Sequence, residues 1–406
     1  MNTAPRSNWA GTVSCTPDAI WTVSSEEALK SSLARIRPRA GRCVRPVGAG
    51  HSFDALCASD DIQLSLSARA DSIAIDAAAG EATFWAGSGL AQVAQALLDA
   101  GLALDGLGDI DAQRLGGAIA TGTHGAGRAV AGLAAQVTGF RLVTASGEAI
   151  DCTRESAPEI FHAGRLSLGA LGVMSTISLR VAPAHRLHER HDLVPFEQCL
   201  AELTSYFADN RHAEFFWIPG EDVCLRRSRN RTDKHQAPGS EVRQASASWL
   251  GSFTPPDRVD WACRIFATSP ERRFVEQEFA VPETCGPDCM RELRALLKDR
   301  YAAIAWPVQY RPQAADDIPL SPAFEQPSVT LSVHADLDGP WPQMFRDTRA
   351  IFRNHRGRPH WGKLHGLEAG ELSQLFPGWA DFTAVRERLD PDGLFLNDRL
   401  RRLLLT

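Results

Sequence analysis

The chain has 406 residues and a net charge of −6, from 43 Lys and Arg against 49 Asp and Glu. It is too long for one ordinary domain and too acidic overall for broad attraction to nucleic acid or anionic lipid. A hydrophobic content of 44 % with 23 % charged residues excludes a disordered composition. The nine cysteines are scattered and odd in number, which excludes a disulfide scaffold. Cys285 and Cys289 have no second pair at metal spacing, so they are read as an ordinary reduced turn and no metal is expected. No run approaches the roughly 18 apolar residues of a membrane span, and the N-terminus lacks an apolar leader. The expectation is a cytoplasmic protein with neither nucleic acid nor membrane as a partner.

In chain order, Ser24–Ile36 reads as a helix, with Ser24 as N-cap, Glu27 completing a capping box, and Leu29, Leu33 and Ile36 as its apolar stripe. Residues 43–47 form a short strand that runs into a glycine-rich turn. Residues 62–66, 72–76 and 81–86 alternate apolar and polar, as half-buried strands do. Ser88 caps a second helix, with Leu90, Val93, Leu97 and Leu98 inward and Gly101 as its stop. A glycine-rich stretch spans 106–127, and strands follow at 137–143 and 173–182. After Pro183 the texture changes: Trp, Phe, Pro and Arg become frequent. Helices are expected at 197–208, 289–300, 342–355 and 380–389, and strands at 214–218, 304–310 and 328–334. Residues 226–246 are polar and basic without periodicity and read as an exposed loop, with Arg226, Arg227, Arg229 and Arg231 solvated.

Two segments carry the chemistry. In Arg45-Pro46-Val47-Gly48-Ala49-Gly50-His51-Ser52-Phe53 a strand enters a Gly-X-Gly turn, where backbone N–H groups can approach an anion, and a histidine and a hydroxyl follow at once. Alone, that pattern is also an ordinary tight turn. The second segment runs from Leu115 to Gly127, where glycines and threonines crowd together with His124. It matches neither the Walker phosphate loop nor the Rossmann fingerprint. Two such loops about 65 residues apart suggest a backbone-lined channel for an extended, phosphorylated ligand.

Together with Asn8-Trp9-Ala10-Gly11, Leu168-Gly169-Ala170-Leu171-Gly172-Val173, His360-Trp361-Gly362-Lys363 and Asp390-Pro391-Asp392-Gly393-Leu394-Phe395-Leu396-Asn397, these loops resemble the FAD-linked oxidases of the vanillyl-alcohol-oxidase superfamily. The branch most resembled is that of the alditol oxidases and sugar-1,4-lactone oxidases. The resemblance implies an α+β fold of the PCMH type, with a discontinuous FAD-binding domain (1–183, rejoined by 363–406) and an α+β substrate domain (184–362). It implies FAD bonded covalently to His51, with Gly48, Ala49, Gly50 and Ser52 around it. Gly108, Asp109, Gly117, Thr121, Gly122, His124, Gly125, Val173 and His360 would complete the cofactor site. Asp109 departs from the small hydroxyl residue usual in alditol oxidases. A glycine near position 108 is associated in the family with oxygen reaching the flavin, which favours an oxidase.

On the substrate side the resemblance implies Lys363, Arg311 and His334 as catalytic groups. Gln309 occupies the place of a family glutamate in Gln309-Tyr310-Arg311. Period-two geometry puts 309 and 311 on one face, but an amide cannot act as a base. The expected reaction is hydride transfer from a hydroxyl-bearing carbon of a polyol, sugar or aldonolactone to flavin N5, with O2 reduced to H2O2. The alternatives are a dehydrogenase using a quinone or cytochrome, a flavin-binding protein with lost catalysis, and a nucleotide-binding module without flavin.

Overall fold

The computed structural model describes residues 4–36, 42–67, 72–235, 257–267 and 272–405. The N-terminal part builds two small sheets. In the first, Ala19–Val23, Ile62–Leu66 and Val44–Val47 pair in parallel, in that order. In the second, five antiparallel strands lie in the order Ala149–Thr153, Val137–Val143, Val173–Arg180, Glu81–Trp85 and Ser72–Asp76. Val23, Leu29, Leu33, Val44, Ile62, Leu64, Val143 and Val173 form a core shared by both sheets, closed by Leu394 and Phe395 from the C-terminal segment.

From Arg186 onward the chain builds an antiparallel sheet of eight strands: Asp257–Trp261, Arg186–Pro195, Val223–Thr232, His212–Ile218, Val308–Gln313, Ser328–Ala335, Val275–Pro282 and Arg358–Pro359. Three helices, Phe196–Asp209, Gly286–Arg300 and Trp341–Asn354, bring apolar stripes (Leu200 and Leu203, Met290 and Leu293, Met344 and Phe352) to the common core. The sheet's other face is polar and equally buried. Val275–Pro282 is buried along its whole length although it carries Glu276, Gln277 and Glu278. That face is what the functional site is built on.

Several sequence expectations shift. The first helix is Glu26–Ala34, and its N-cap is Ser25, whose Oγ accepts from the Ala28 N–H, so Ser24 and Glu27 form no capping box. The second is Leu90–Asp99, with Gly89 rather than Ser88 at the cap and the Gln92 side chain accepting from the Gly89 N–H. Within the glycine-rich stretch, Leu115–Thr121 is helical and ends at Gly122 in the left-handed conformation. The expected loop at 226–246 is a strand as far as Thr232, and its arginines 227 and 229 are buried. The chain from 236 to 246 lies outside the described residues.

Candidate active site

The strand Val44–Val47 delivers the first glycine turn to the edge of the parallel sheet. Gly50 there takes φ +73°, a conformation that favours glycine. The turn is pinned from three sides: Trp9 N–H donates to Gly50 O (2.7 Å), Asn8 Nδ2 to Ser52 O (3.0 Å), and Phe53 N–H to Gly362 O (2.8 Å). Trp9 stacks on His51 with ring centroids 5.8 Å apart. The second glycine segment enters from the opposite wall, anchored by Gly116 N–H on Ala86 O. The two meet backbone to backbone, and a Cβ added at Gly117 would stand 4.0 Å from the Gly48 Cα. Between them lies a cleft of about 980 Å³, counting its open mouth.

Gly48, Ala49, Gly50, His51, Ser52, Gly117, Thr121 and Val173 all line this cleft. The backbone N–H groups of residues 48 to 52 find no acceptor among the described residues, so five consecutive donors are free for a ligand. Arg45, beneath the turn, is fully buried and spends its guanidinium on the carbonyls of Leu56, Leu168, Gly169 and Phe395. It thereby ties together three remote segments, two of which line the cleft.

Other sequence candidates lie elsewhere. Gly122, His124 and His360 border a separate small cavity with Glu278. Gly125 packs against the Leu107 carbonyl. Gly108 lies beside Leu107 and Ile110, away from the cleft, and Asp109 turns toward the eight-stranded sheet to meet Arg227 (2.9 Å) and Arg229 (3.3 Å).

The buried polar face of that sheet carries a layer of charge. Antiparallel registry sets Gln309 opposite Ser332, Ser332 opposite Glu278, and Glu276 opposite His334. Arg311 Nη2 donates to Glu278 Oε2 (2.7 Å), and Ser332 Oγ donates to the same oxygen (2.9 Å). His124 Nε2 meets Glu278 Oε1 at 2.6 Å. Lys363 Nζ binds Glu276 Oε2 and lies 4.9 Å over the Phe53 ring, next to the glycine turn. Gln309 Nε2 donates to Glu214, which is also held by Arg227. Lys363, Arg311, His334 and Gln309 therefore share one layer, with His360 ring-to-ring against His124 at 5.7 Å.

The electrostatics follow from this pairing. Burial pushes the Glu278 carboxyl up, but Arg311 and His124 outweigh it and hold the group well below its usual range. Glu276 is likewise raised by burial and brought below the usual value by Lys363 and His334. Burial lowers His334, and it lowers His360 to about 3, so both rings are neutral near pH 7. His51 is lowered by burial and then by Lys363. The Pro307 carbonyl can only accept, so His334 Nδ1 carries the proton (3.0 Å) and Nε2 is left as the basic nitrogen.

Sequence reasoning missed Glu214, Glu276, Glu278, Arg227, Arg229 and the anchor Arg45. The one visible signal was Glu276-Gln277-Glu278 inside an apolar stretch, with two carboxylates on one face of a strand. Their partners lie 33 to 154 positions away along the chain.

Residues 17–153 match the family described as "FAD binding domain", and residues 177–255 and 252–403 match that described as "D-arabinono-1,4-lactone oxidase". An L-gulono-1,4-lactone dehydrogenase of Mycobacterium tuberculosis is 33 % identical, with 98 % of each chain covered. An L-gulonolactone oxidase of Bos taurus is 29 % identical, over 98 % of this chain and 97 % of its own. The crystal structure of cholesterol oxidase from B. sterolicum superposes with a TM-score of 0.81 at 15 % identity, covering 98 % of this chain and 96 % of that one. At that identity the likeness is one of fold, and the fold is the α+β, PCMH-type FAD fold.

Proposed function

From the premise that the chain belongs to the D-arabinono-1,4-lactone oxidase family, within the vanillyl-alcohol-oxidase superfamily, we propose that this FAD-dependent oxidoreductase oxidises a hydroxyl-bearing carbon of an aldono-1,4-lactone. The observation that carries the reading is the meeting of both glycine segments in one cleft whose rim, at Phe53 and Gly362–Lys363, adjoins the buried charge layer.

The cleft fits FAD. Its walls at Gly48 and Gly117 are bare backbone, five N–H groups await acceptors, and no Asp or Glu among the described residues lines it. FAD held there would supply the two-electron acceptor, with N5 as the proposed hydride-accepting atom, O2 as the proposed final oxidant and H2O2 as product. The covalent link to the flavin is proposed through His51, which lines the cleft and stacks on Trp9. After acid precipitation the yellow colour should stay with the protein; full release into the supernatant would exclude the bond.

The charge layer supplies the rest. His334 Nε2 takes the substrate hydroxyl proton, because the ring is neutral and its Nδ1–H is already committed to Pro307. Arg311 and Lys363 stabilise negative charge developing on the substrate oxygen. Glu278 and Glu276 hold these two cations in place, and the same pairing lowers their affinity for a proton, which makes both poor bases. Glu214 fixes the amide of Gln309: a carboxylate can only accept, so Nε2 faces it and Oε1 is turned away as an acceptor for a substrate hydroxyl. Anaerobic addition of aldono-1,4-lactones should bleach the flavin band near 450 nm. No bleaching by any lactone or alditol would overturn the assignment.

The oxidase reading draws on the name of the L-gulonolactone oxidase of Bos taurus, whereas Gly108, away from the cleft, lends it no support. A dehydrogenase is the second reading, favoured by the name of the 33 %-identical relative. Turnover in air compared with turnover on an artificial acceptor under nitrogen separates them: an oxidase forms one H2O2 per lactone consumed.

A further inference from the structure

The sign of the charge in the cleft runs against that of the molecule. The chain carries a net charge of −6, yet among the described residues the cleft is lined by two arginines and no carboxylate. One of the two, Arg45, has its guanidinium occupied by four backbone carbonyls and contributes charge only. The other, Arg114, is half-buried and makes one side-chain hydrogen bond, from Nη1 to the Gly87 carbonyl at 2.6 Å. Among the described residues no carboxylate lies within ion-pair distance of it. Its stem packs at the meeting of the two glycine segments, where a Cβ on Gly48 would come within 3.3 Å of the Arg114 Cβ. The hydrogen bond to Gly87 fixes one arm of the fork and leaves Nε and Nη2 without a partner among the described residues, beside the five open N–H groups of residues 48 to 52.

A cation held in this way, next to a row of unengaged amides and with no acid nearby, is built for an anion. We propose that Arg114 is the side-chain anchor for the diphosphate of FAD, and that it makes the cleft select a dinucleotide over a flavin without phosphate. The inference rests on the FAD reading above and adds to it a residue that the glycine motifs do not contain. Arg45, fixed in the floor, adds long-range attraction but no hydrogen bond.

The test uses the full chain carrying His51→Ala, so that binding is reversible, with and without Arg114→Ala, Arg114→Lys or Arg114→Gln. FAD and riboflavin are titrated separately into deflavinated protein, and flavin fluorescence is followed. Loss of a charge-assisted bidentate contact should raise the Kd for FAD about 10- to 100-fold and leave that for riboflavin within about twofold. Arg114→Lys should recover part of the loss, and the dependence of log Kd on log salt should be shallower in Arg114→Ala. Equal weakening of FAD and riboflavin would assign Arg114 a structural role and overturn the proposal, as would an unchanged Kd for FAD. If the parent with Arg114 intact binds riboflavin and FAD equally, selection by the diphosphate is refuted while the flavin site stands. If it binds neither, the FAD reading fails and the proposal with it.

Discussion

Lys363 sits where the glycine turn and the charge layer touch, between the Phe53 ring and Glu276. Its replacement by Met keeps the length of the side chain and removes the charge. The rate of anaerobic flavin reduction by lactone should fall about 10²- to 10³-fold, as when one preorganised charge stabiliser is lost. Stopped-flow absorbance at 450 nm checks this, and an unchanged rate would remove Lys363 from the chemistry. Gln309→Glu sets a second carboxylate against Glu214, within hydrogen-bond reach. Two like charges in one site force one of them to keep its proton, so its pKa rises. The variant's kcat/KM should gain an ionisation between about pH 5 and 8 that the parent lacks; superimposable profiles would mean that the pair separates. At this scale the sequence revealed His51 and both glycine loops, because their chemistry is written in adjacent residues. It did not reveal Glu214, Glu276 or Glu278, because one glutamate in a strand is informative only beside its cross-strand partners.

Among the elements, Val223–Thr232 departs most from its sequence reading, and the reason lies in its neighbours. Four arginines in ten residues look like a solvated loop when taken alone. In the sheet the strand lies between Arg186–Pro195 and His212–Ile218, which present Glu189 and Glu214 to it, while Asp109 approaches from the N-terminal loops. Period two then sorts its side chains: Arg227 and Arg229 turn inward to those acids, and Arg226 turns outward to Asp192 and Glu202. Arg229→Ala should therefore destabilise the protein by about 3 to 5 kcal/mol, since it strands the buried Glu189 without its main partner. Arg231→Ala, at a site 49 % exposed, should stay within about 0.5 kcal/mol. Urea midpoints of the two variants test the contrast, and similar losses would refute the inward assignment. Apolar-striped helices such as Phe196–Asp209 and Trp341–Asn354 were legible to within a residue or two because their period is intrinsic. The helix Leu115–Thr121 was not, since its Gly-Gly-Ala composition carries no stripe and only tertiary packing makes it helical.

Across the whole molecule, the N-terminal loops, the eight-stranded sheet and the C-terminal segment meet along a seam that holds neutral histidines. His212 Nδ1 donates to the Ala126 carbonyl from the sheet side (3.1 Å), His360 Nδ1 accepts from the Gly362 N–H (3.0 Å), and His365 Nδ1 accepts from the Leu367 N–H near Asp54. Burial lowers His360 to about 3, and His212 and His365 to about 4. A histidine whose folded pKa is depressed binds its proton in the unfolded chain first. Its contribution is therefore complete above about pH 6.5 and shrinks as the pH falls toward the folded value. Each such group gives a slope of up to about 1.4 kcal/mol per pH unit in that window. Carboxylates act lower: Glu278, held well below 4.5 by Arg311 against the effect of burial, gives up its contribution only as the pH falls below that value. Between pH 6.5 and 4.5 the histidines set the response, so stability should drop steeply there, by up to about 4 kcal/mol per pH unit if all three act independently. His365→Asn retains an acceptor for the Leu367 N–H and removes one titrating ring, so it should flatten the slope by up to about 1.4 kcal/mol per pH unit. Urea unfolding at half-unit steps from pH 7.5 to 4.5 decides the matter: a flat parent profile, or one that His365→Asn leaves unchanged, would show that the seam does not keep these rings neutral.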